Sequence, residues 1–177
     1  VPFFLPHAFW GKQVPDADVQ RFAEVPGLTP ADREVMAMLV NLDRNIGRLL
    51  AALKANGLAE NTLVIFHSDN GLTGRQSETA KFNAGLRGQK QTVYEGGIRV
   101  PCFVRWPGKL TPRTITARTA GIDWLPTFLE IAGVTKRTKP LAKPLAKPLD
   151  GVSLWPLLTG KQNALPQRFI FQQQQPQ

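Results

Sequence analysis

The segment Asn61-Thr-Leu-Val-Ile-Phe-His-Ser-Asp-Asn-Gly71 joins a short apolar run to a polar turn. The run from Leu63 to Phe66 is rich in β-branched and aromatic residues, which is typical of a buried strand in a parallel sheet. Because ligands bind beyond the carboxyl ends of such strands, we expect Asp69 and Asn70 to lie at a functional site. Their carboxylate and amide oxygens are hard donors that suit Ca²⁺ or Mg²⁺. The same residues are also typical of a simple turn, since Asn-Gly favours one.

The residues before this run predict a long amphipathic helix. Thr29 is a good N-cap, Pro30 suits the first helical position, and Gly57 fits the C-terminal end. Apolar residues recur on one face of this helix, at Val35, Leu39, Leu42, Ile46, Leu49 or Leu50, and Leu53. A long helix that leads directly into a buried strand indicates an α/β fold.

The rest of the chain alternates loops with shorter elements. Residues 6 to 28 are rich in Pro, Gly and polar residues and are predicted to be mostly loop. Residues 72 to 92 lack a periodic apolar pattern and are predicted to be a long loop. We predict a second strand over Ile98 to Arg105, with Cys102 as a buried and unreactive thiol. A second helix is predicted over Ile122 to Ala132, because a glycine follows it.

The composition is that of an ordinary globular domain with a strong positive charge. The 177 residues carry 22 Lys and Arg against 13 Asp and Glu, a net charge of +9, which favours anionic partners. The basic residues are spread along the chain and no nucleic-acid-binding motif is present, so we expect no nucleic-acid partner. No apolar run is long enough to span a bilayer, and the single cysteine excludes an internal disulfide. Because the chain begins at Val1 within a predicted strand, we interpret it as a fragment or a processed product.

Three motifs follow the first strand. They are Leu86-Arg-Gly-Gln-Lys90, Tyr94-Glu-Gly-Gly-Ile-Arg-Val-Pro101 and Phe103-Val-Arg-Trp-Pro-Gly108. After Ser68-Asp-Asn-Gly71, this order of motifs resembles the type I sulfatases, the formylglycine-dependent enzymes that include the arylsulfatases. The resemblance covers roughly residues 1 to 160 and includes Asn41-Leu-Asp-Arg-Asn-Ile-Gly47, Ala120-Gly-Ile-Asp-Trp-Leu-Pro-Thr-Phe128 and Asp150-Gly-Val-Ser-Leu154.

The resemblance implies an alkaline-phosphatase-like α/β sandwich and the activity of a sulfuric ester hydrolase. Asp69 and Asn70 match the family's second pair of metal ligands, usually to Ca²⁺, with Mg²⁺ as a possible substitute. Lys90 matches the lysine that contacts the sulfate group and the leaving oxygen. His7 matches a histidine on the leaving-group side that can donate a proton. The family usually places several residues between the preceding strand and this Pro-His pair, whereas here Leu5 and Pro6 abut.

Other parts of the family pattern are missing from this sequence. The Cys-x-Pro-Ser-Arg motif that yields formylglycine does not occur, since Val104 stands where the motif requires a proline after Cys102. Formylglycine is therefore expected only in a missing N-terminal part, and this chain alone is not expected to hydrolyse sulfate esters. The early strands and most of the C-terminal subdomain are also expected to be absent, so the predicted sandwich is incomplete. Export to the periplasm, the lysosome or the cell exterior is expected from the family alone.

The chain is predicted to contain three regions. Residues 1–135 form the C-terminal part of the sulfatase catalytic domain, and residues 136–149 form a linker of repeated Lys-Pro-Leu-Ala units. Residues 150–177 begin a C-terminal subdomain that ends in a Gln-rich tail, and Arg168 to Phe171 could start one of its strands.

Two other functions are compatible with the sequence. One is a phosphatase or phosphodiesterase of the same superfamily, which the combination of motifs argues against. The other is a non-catalytic remnant that binds sulfated ligands through its basic surface. For the sulfatase, the expected partner is an aryl or carbohydrate sulfate ester. Within the motifs, Glu95 and Arg99 are expected to pair and brace their loop, whereas His67, Asp123 and Asp150 receive no functional role.

Overall fold

The long helix, α2, spans Pro30–Ala55, as the capping residues predict. The Thr29 backbone N–H donates to Asp32 Oδ2 at 2.9 Å, and the Asp32 N–H donates to Thr29 Oγ1 at 3.2 Å, which completes a capping box. At the other end Gly57 adopts a φ of 67°, and the Leu58 N–H donates to the Leu53 carbonyl at 2.9 Å. This glycine-terminated end satisfies carbonyl groups that the helix itself leaves without partners.

The computed structural model describes residues 2–3, 6–7, 14–73, 83–134 and 149–173. The chain divides into two units, Val1–Trp106 with Gln172–Gln177, and Pro107–Phe171. The first contains α1 (Asp16–Gln20), α2, β1 (Val64–His67), α3 (Glu95–Ile98) and β2 (Cys102–Arg105), and the second contains α4 (Trp124–Ile131) and α5 (Trp155–Leu158). Short 3₁₀ turns cover Ala59–Asn61 and Gly121–Asp123. The described fold is thus mixed α/β.

Most of the predicted linker over 136–149 lies outside the described residues, and the three predicted regions stay predictions.

The core of the first unit forms between α1 and α2. Val14, Ala37 and Met38 are buried there. Residues 6 to 28 are predicted to be mostly loop, and the one helix described within them is α1, whose five residues are too few to show a periodic pattern. The predicted apolar face of α2 was right for Leu42, which is buried, and wrong for Leu39, whose exposed fraction is 41%.

The two strands pair in the antiparallel direction, with His67 opposite Cys102 and Val64 opposite Arg105. The prediction of a parallel sheet was therefore wrong for the strand pair that the structure describes. A short run of β-branched and aromatic residues suits either direction, so the run could not indicate it. The Phe66 and Phe103 rings face each other across the pair, with centroids 6.2 Å apart.

The second strand is shorter and more exposed than predicted. Ile98 belongs to α3, and β2 begins at Cys102, directly after Pro101, which cannot donate a ladder hydrogen bond. Cys102 is exposed rather than buried. Partial burial of the thiol nevertheless raises its pKa, which further disfavours the reactive thiolate form.

Asp123 joins three segments of the second unit through hydrogen bonds. Its carboxylate is fully buried and accepts hydrogen bonds from the Ala120 N–H at 2.8 Å and the Val152 N–H at 3.0 Å. The two terminal guanidinium nitrogens of Arg168 also donate to it, each at 2.5 Å. Asp123 is thus more than the simple helix residue that the sequence indicated. The predicted strand at Arg168 to Phe171 does not form within the described part of the chain.

The second predicted helix is confirmed in position. It begins with the 3₁₀ turn, continues as α4 to Ile131, and is followed by Gly133 with a φ of 72°.

Among the helices that the structure describes, none is long and apolar enough to cross a membrane.

Candidate active site

Antiparallel pairing brings the end of β1 next to the start of β2. Because His67 lies opposite Cys102, the residues that follow β1 adjoin those that precede β2. The Gly71 N–H donates to the Gly97 carbonyl at 2.9 Å. A Cβ atom built on Gly71 would overlap the Gly96 carbonyl oxygen, so only glycine permits this approach. The Ser68-Asp-Asn-Gly71 and Glu95-Gly-Gly-Ile motifs therefore meet in space.

The Leu86-Arg-Gly-Gln-Lys90 motif is held by the same backbone. The Lys90 N–H donates to the Leu72 carbonyl at 2.9 Å, and the Gly96 N–H donates to the Arg87 carbonyl at 2.7 Å. Cβ atoms at Gly96 and Gly97 would overlap carbonyl oxygens of this motif. The two glycines thus allow the lysine-bearing loop to pack directly on α3.

Two side chains shape that loop from within. Asn83 Nδ2 donates to the Gly88 carbonyl at 2.8 Å and to the Leu86 carbonyl at 3.1 Å. Thr92 Oγ1 donates to the Gln89 carbonyl at 2.7 Å and accepts from the Gln89 N–H at 3.1 Å. Neither residue was predicted from the sequence to have a role. The preference of Asn and Thr for side-chain bonds to nearby backbone in turns was the signal that could have found them.

Lys90 and His7, the two predicted catalytic residues, lie together. Lys90 Nζ is 3.3 Å from His7 Nε2. A lysine ammonium group carries donors only, so the imidazole Nε2 accepts and the ring proton is assigned to Nδ1. The arrangement places a cation and a titratable nitrogen within reach of one bound oxygen.

Asp69 and Asn70, the predicted metal ligands, follow β1 directly. Asp69 is exposed, and no described side chain pairs with its carboxylate. Asn70 Nδ2 donates to the Gly71 carbonyl at 3.2 Å, which leaves the amide oxygen as a donor atom for a cation. Ser68 Oγ donates to the Asn70 carbonyl at 2.8 Å and fixes the turn. Within the described ranges, no group of three or more His, Cys, Asp or Glu side chains could hold a metal ion.

The other charged residues of the motifs have structural contacts. Glu95 and Arg99 pair at 3.5 Å with both side chains exposed. The Arg87 guanidinium lies 3.9 Å from the centre of the Tyr94 ring and donates to its hydroxyl group at 2.8 Å. His67 Nδ1 lies 2.9 Å from the Ser68 carbonyl. None of these contacts assigns the residues a catalytic role.

The chain belongs to the sulfatase family, whose model matches residues 5–134. Human arylsulfatase A is 35% identical over 170 residues, which cover 96% of this chain and 31% of that protein. A sulfatase of Formosa agariphila is 40% identical over 148 residues, covering 75% of this chain and 26% of that protein.

Solved structures give the same relationship. The crystal structure of Ps i-CgsB in complex with k-i-k-neocarrahexaose superposes with a TM-score of 0.70 at 29% identity. It is matched over 93% of this chain and 35% of its own length. The described fold is therefore part of the alkaline-phosphatase-like fold of sulfatases, and this chain spans about a third of the length of such relatives.

Proposed function

We propose that this chain supplies the Lys90, His7, Asp69 and Asn70 side of a sulfuric ester hydrolase site, and that this side binds the sulfate group and its leaving oxygen. The observation that carries the proposal is the contact of 3.3 Å between Lys90 Nζ and His7 Nε2. The two residues matched separate family motifs at distant positions in the sequence. Their meeting at one point supports a common role.

The chemistry of sulfate esters explains the choice of residues. Cleavage of the bond between sulfur and the leaving oxygen transfers negative charge to that oxygen. Lys90 stabilises this charge by donating a hydrogen bond, and its positive charge also attracts the sulfate group. His7, once protonated, supplies the proton that the departing oxygen needs.

Asp69 and Asn70 are proposed as ligands to Ca²⁺, with Mg²⁺ as the alternative. The exposed carboxylate and the free amide oxygen fit a hard cation, and they provide two of the six to eight oxygens that Ca²⁺ takes. When bound, such an ion would polarise the sulfate oxygens as a Lewis acid. No residue of this chain fits formylglycine, because the required motif is absent from the sequence.

The proposed substrate class is a carbohydrate sulfate, with an aryl sulfate as the alternative. One solved relative is described in complex with the carrageenan oligosaccharide k-i-k-neocarrahexaose. The net charge of +9 also favours an anionic, multiply sulfated ligand. The identity of the sulfate ester that the whole protein cleaves is thus also a proposal.

The experiment compares para-nitrophenyl sulfate with para-nitrophenyl phosphate by calorimetric titration in the presence of Ca²⁺. We expect the native chain to bind the sulfate ester more tightly than the phosphate ester, and to release no nitrophenolate above the uncatalysed rate. Tighter binding or hydrolysis of the phosphate ester would instead support a phosphatase or phosphodiesterase.

A parallel titration with heparin tests the non-catalytic alternative. Heparin binding that weakens with salt but is unchanged in both Lys90→Ala and Asp69→Ala would favour a basic remnant over a sulfate site. Loss of para-nitrophenyl sulfate binding in the same two variants would support the proposed site.

A further inference from the structure

We propose that Thr92 is a positioning residue for Lys90: its hydroxyl group closes the turn over Gln89 to Thr92 and thereby sets the ammonium group beside His7. The placement of Lys90 depends on the geometry of the turn alone. Its importance for sulfate binding rests on the proposed function.

The turn is closed by three hydrogen bonds between its first and last residues. The Thr92 N–H donates to the Gln89 carbonyl at 3.0 Å, as in an ordinary β-turn. The Thr92 hydroxyl group donates to the same carbonyl at 2.7 Å and accepts from the Gln89 N–H at 3.1 Å. The Thr92 side chain thus binds both the N–H and the carbonyl group of Gln89.

The backbone of this turn needs that support. Gln91 has a φ of 71°, whereas Lys90 before it is not in the positive-φ region, so the turn is of type II. Its third position favours glycine or asparagine, and glutamine there is unfavourable. Since local preference does not hold this conformation, it depends on contacts within the turn and around it, and the two hydroxyl bonds are the side-chain contacts among them.

This turn also fixes the backbone of Lys90, from which the side chain starts. The Lys90 N–H is bound to the Leu72 carbonyl, and Gly97 lies against the carbonyls of Gln89 and Thr92. With the backbone clamped on both sides, the direction in which the Lys90 side chain leaves the chain is set. A long flexible side chain loses less entropy on reaching His7 Nε2 at 3.3 Å when it starts in the right direction.

Thr92→Val, Thr92→Ser and Thr92→Cys test this role by nuclear magnetic resonance on the full chain. Valine removes the hydroxyl group with little change of shape, serine keeps it, and cysteine replaces it with a weaker donor. Thr111→Val, at an exposed threonine of the other unit, controls for the general loss of a hydroxyl group. The readout is the cross-relaxation peak between the Lys90 ε-protons and the His7 ring.

We expect the peak to be lost in Thr92→Val, retained in Thr92→Ser and Thr111→Val, and weakened in Thr92→Cys. An unchanged peak in Thr92→Val, or equal loss in Thr92→Ser and Thr92→Val, would overturn the proposal. Titration of the same samples with inorganic sulfate should show binding about tenfold weaker in Thr92→Val, the loss expected for one misplaced charge-assisted hydrogen bond.

The two readouts separate the two proposals. If the native chain shows the cross-relaxation peak but no response to sulfate, the proposed function fails and the peak in the Thr92 variants still decides the positioning role. If sulfate binds and the peak is insensitive to Thr92, the positioning role fails alone.

Discussion

Lys90 Nζ lies 3.3 Å from His7 Nε2, although 83 positions separate the two residues in the sequence. The contact joins a segment near the start of the chain to the turn between the two strands. Two polar groups are held together here over a distance in sequence that local structure could not bridge. The proposed sulfate site gives a reason for this arrangement, since both groups would contact the same ligand.

Replacement of Lys90 by alanine should weaken the binding of para-nitrophenyl sulfate by about tenfold or more, because one charge-assisted hydrogen bond to the sulfate group is lost. The free energy of unfolding should change by less than about 0.5 kcal/mol, since Lys90 is not part of the apolar core. Calorimetric titration and urea unfolding measure the two effects. Lys161→Ala, at an exposed lysine of the other unit, is the matched control and should bind like the native chain. Equal weakening in both variants would indicate a diffuse effect of charge.

Asp69→Asn should reduce the affinity for Ca²⁺ by about tenfold or more, because a neutral amide replaces the carboxylate ligand. The side chain keeps its size, so the turn around Ser68 should be retained. Titration of the chain with Ca²⁺ after treatment with a chelator measures the affinity. Asp150→Asn removes an exposed carboxylate elsewhere and serves as control. A site at Asp69 is contradicted if the two variants lose the same affinity.

The buried pair of Asp123 and Arg168 should matter far more for stability than the exposed pair of Glu95 and Arg99. Asp123→Asn leaves the Arg168 charge without its partner and should lower the free energy of unfolding by about 3 kcal/mol. Glu95→Gln disrupts a contact of 3.5 Å between exposed groups and should cost less than about 0.5 kcal/mol. Urea unfolding of the two variants gives the comparison, and similar losses would contradict it.

Acid should remove the contribution of Asp123. Burial by itself raises the pKa of this carboxyl group, but the hydrogen bonds from Arg168, Val152 and Ala120 outweigh burial and hold the pKa below its ordinary value of 3.8. Stability from this group is therefore fully present above about pH 3.8 and lost as the pH falls through the lower, folded-state value. Urea midpoints measured from pH 5 to pH 2 should decrease more in the native chain than in Asp123→Asn. Parallel curves would argue against the assignment.

Gly71→Ala should destabilise the chain by about 1 to 3 kcal/mol, because the added methyl group meets the Gly96 carbonyl in a closely packed turn. Gly47→Ala is the matched control within α2. No atom lies within 4 Å of a Cβ built on Gly47, and alanine should stabilise the helix there by about 1 kcal/mol. Opposite signs in urea unfolding are the expected result. A neutral Gly71→Ala would show that the two motifs can move apart.

Much of the helical structure could be predicted from local chemistry. Thr29 and Gly57 define the ends of α2 through hydrogen bonds to residues within one turn, which the sequence specifies directly. The direction of strand pairing could not be predicted, because it depends on residues 35 or more positions apart, such as His67 and Cys102. The exposure of Cys102 likewise depends on what covers the strand, which an apolar run does not specify.

The candidate site was likewise predicted only in part from the sequence. Asp69, Asn70, Lys90 and His7 were recognised as motif residues, and their roles stay predictions. The supporting residues Thr92 and Asn83 were missed because their partners are backbone atoms, and any sequence offers those. Their importance becomes visible only when the fold brings Gly96 and Gly97 against the same loop.

The pairing of His67 with Cys102 fixes both ends of the segment 68–101 at neighbouring points. The cost of closing this segment is met by the strand pair, and doubling its length adds only about 0.6 kcal/mol. An insertion between these two points should therefore leave the pairing of the strands intact. The segment that carries Lys90 can thus change in length at little cost to the strand pair that holds its ends.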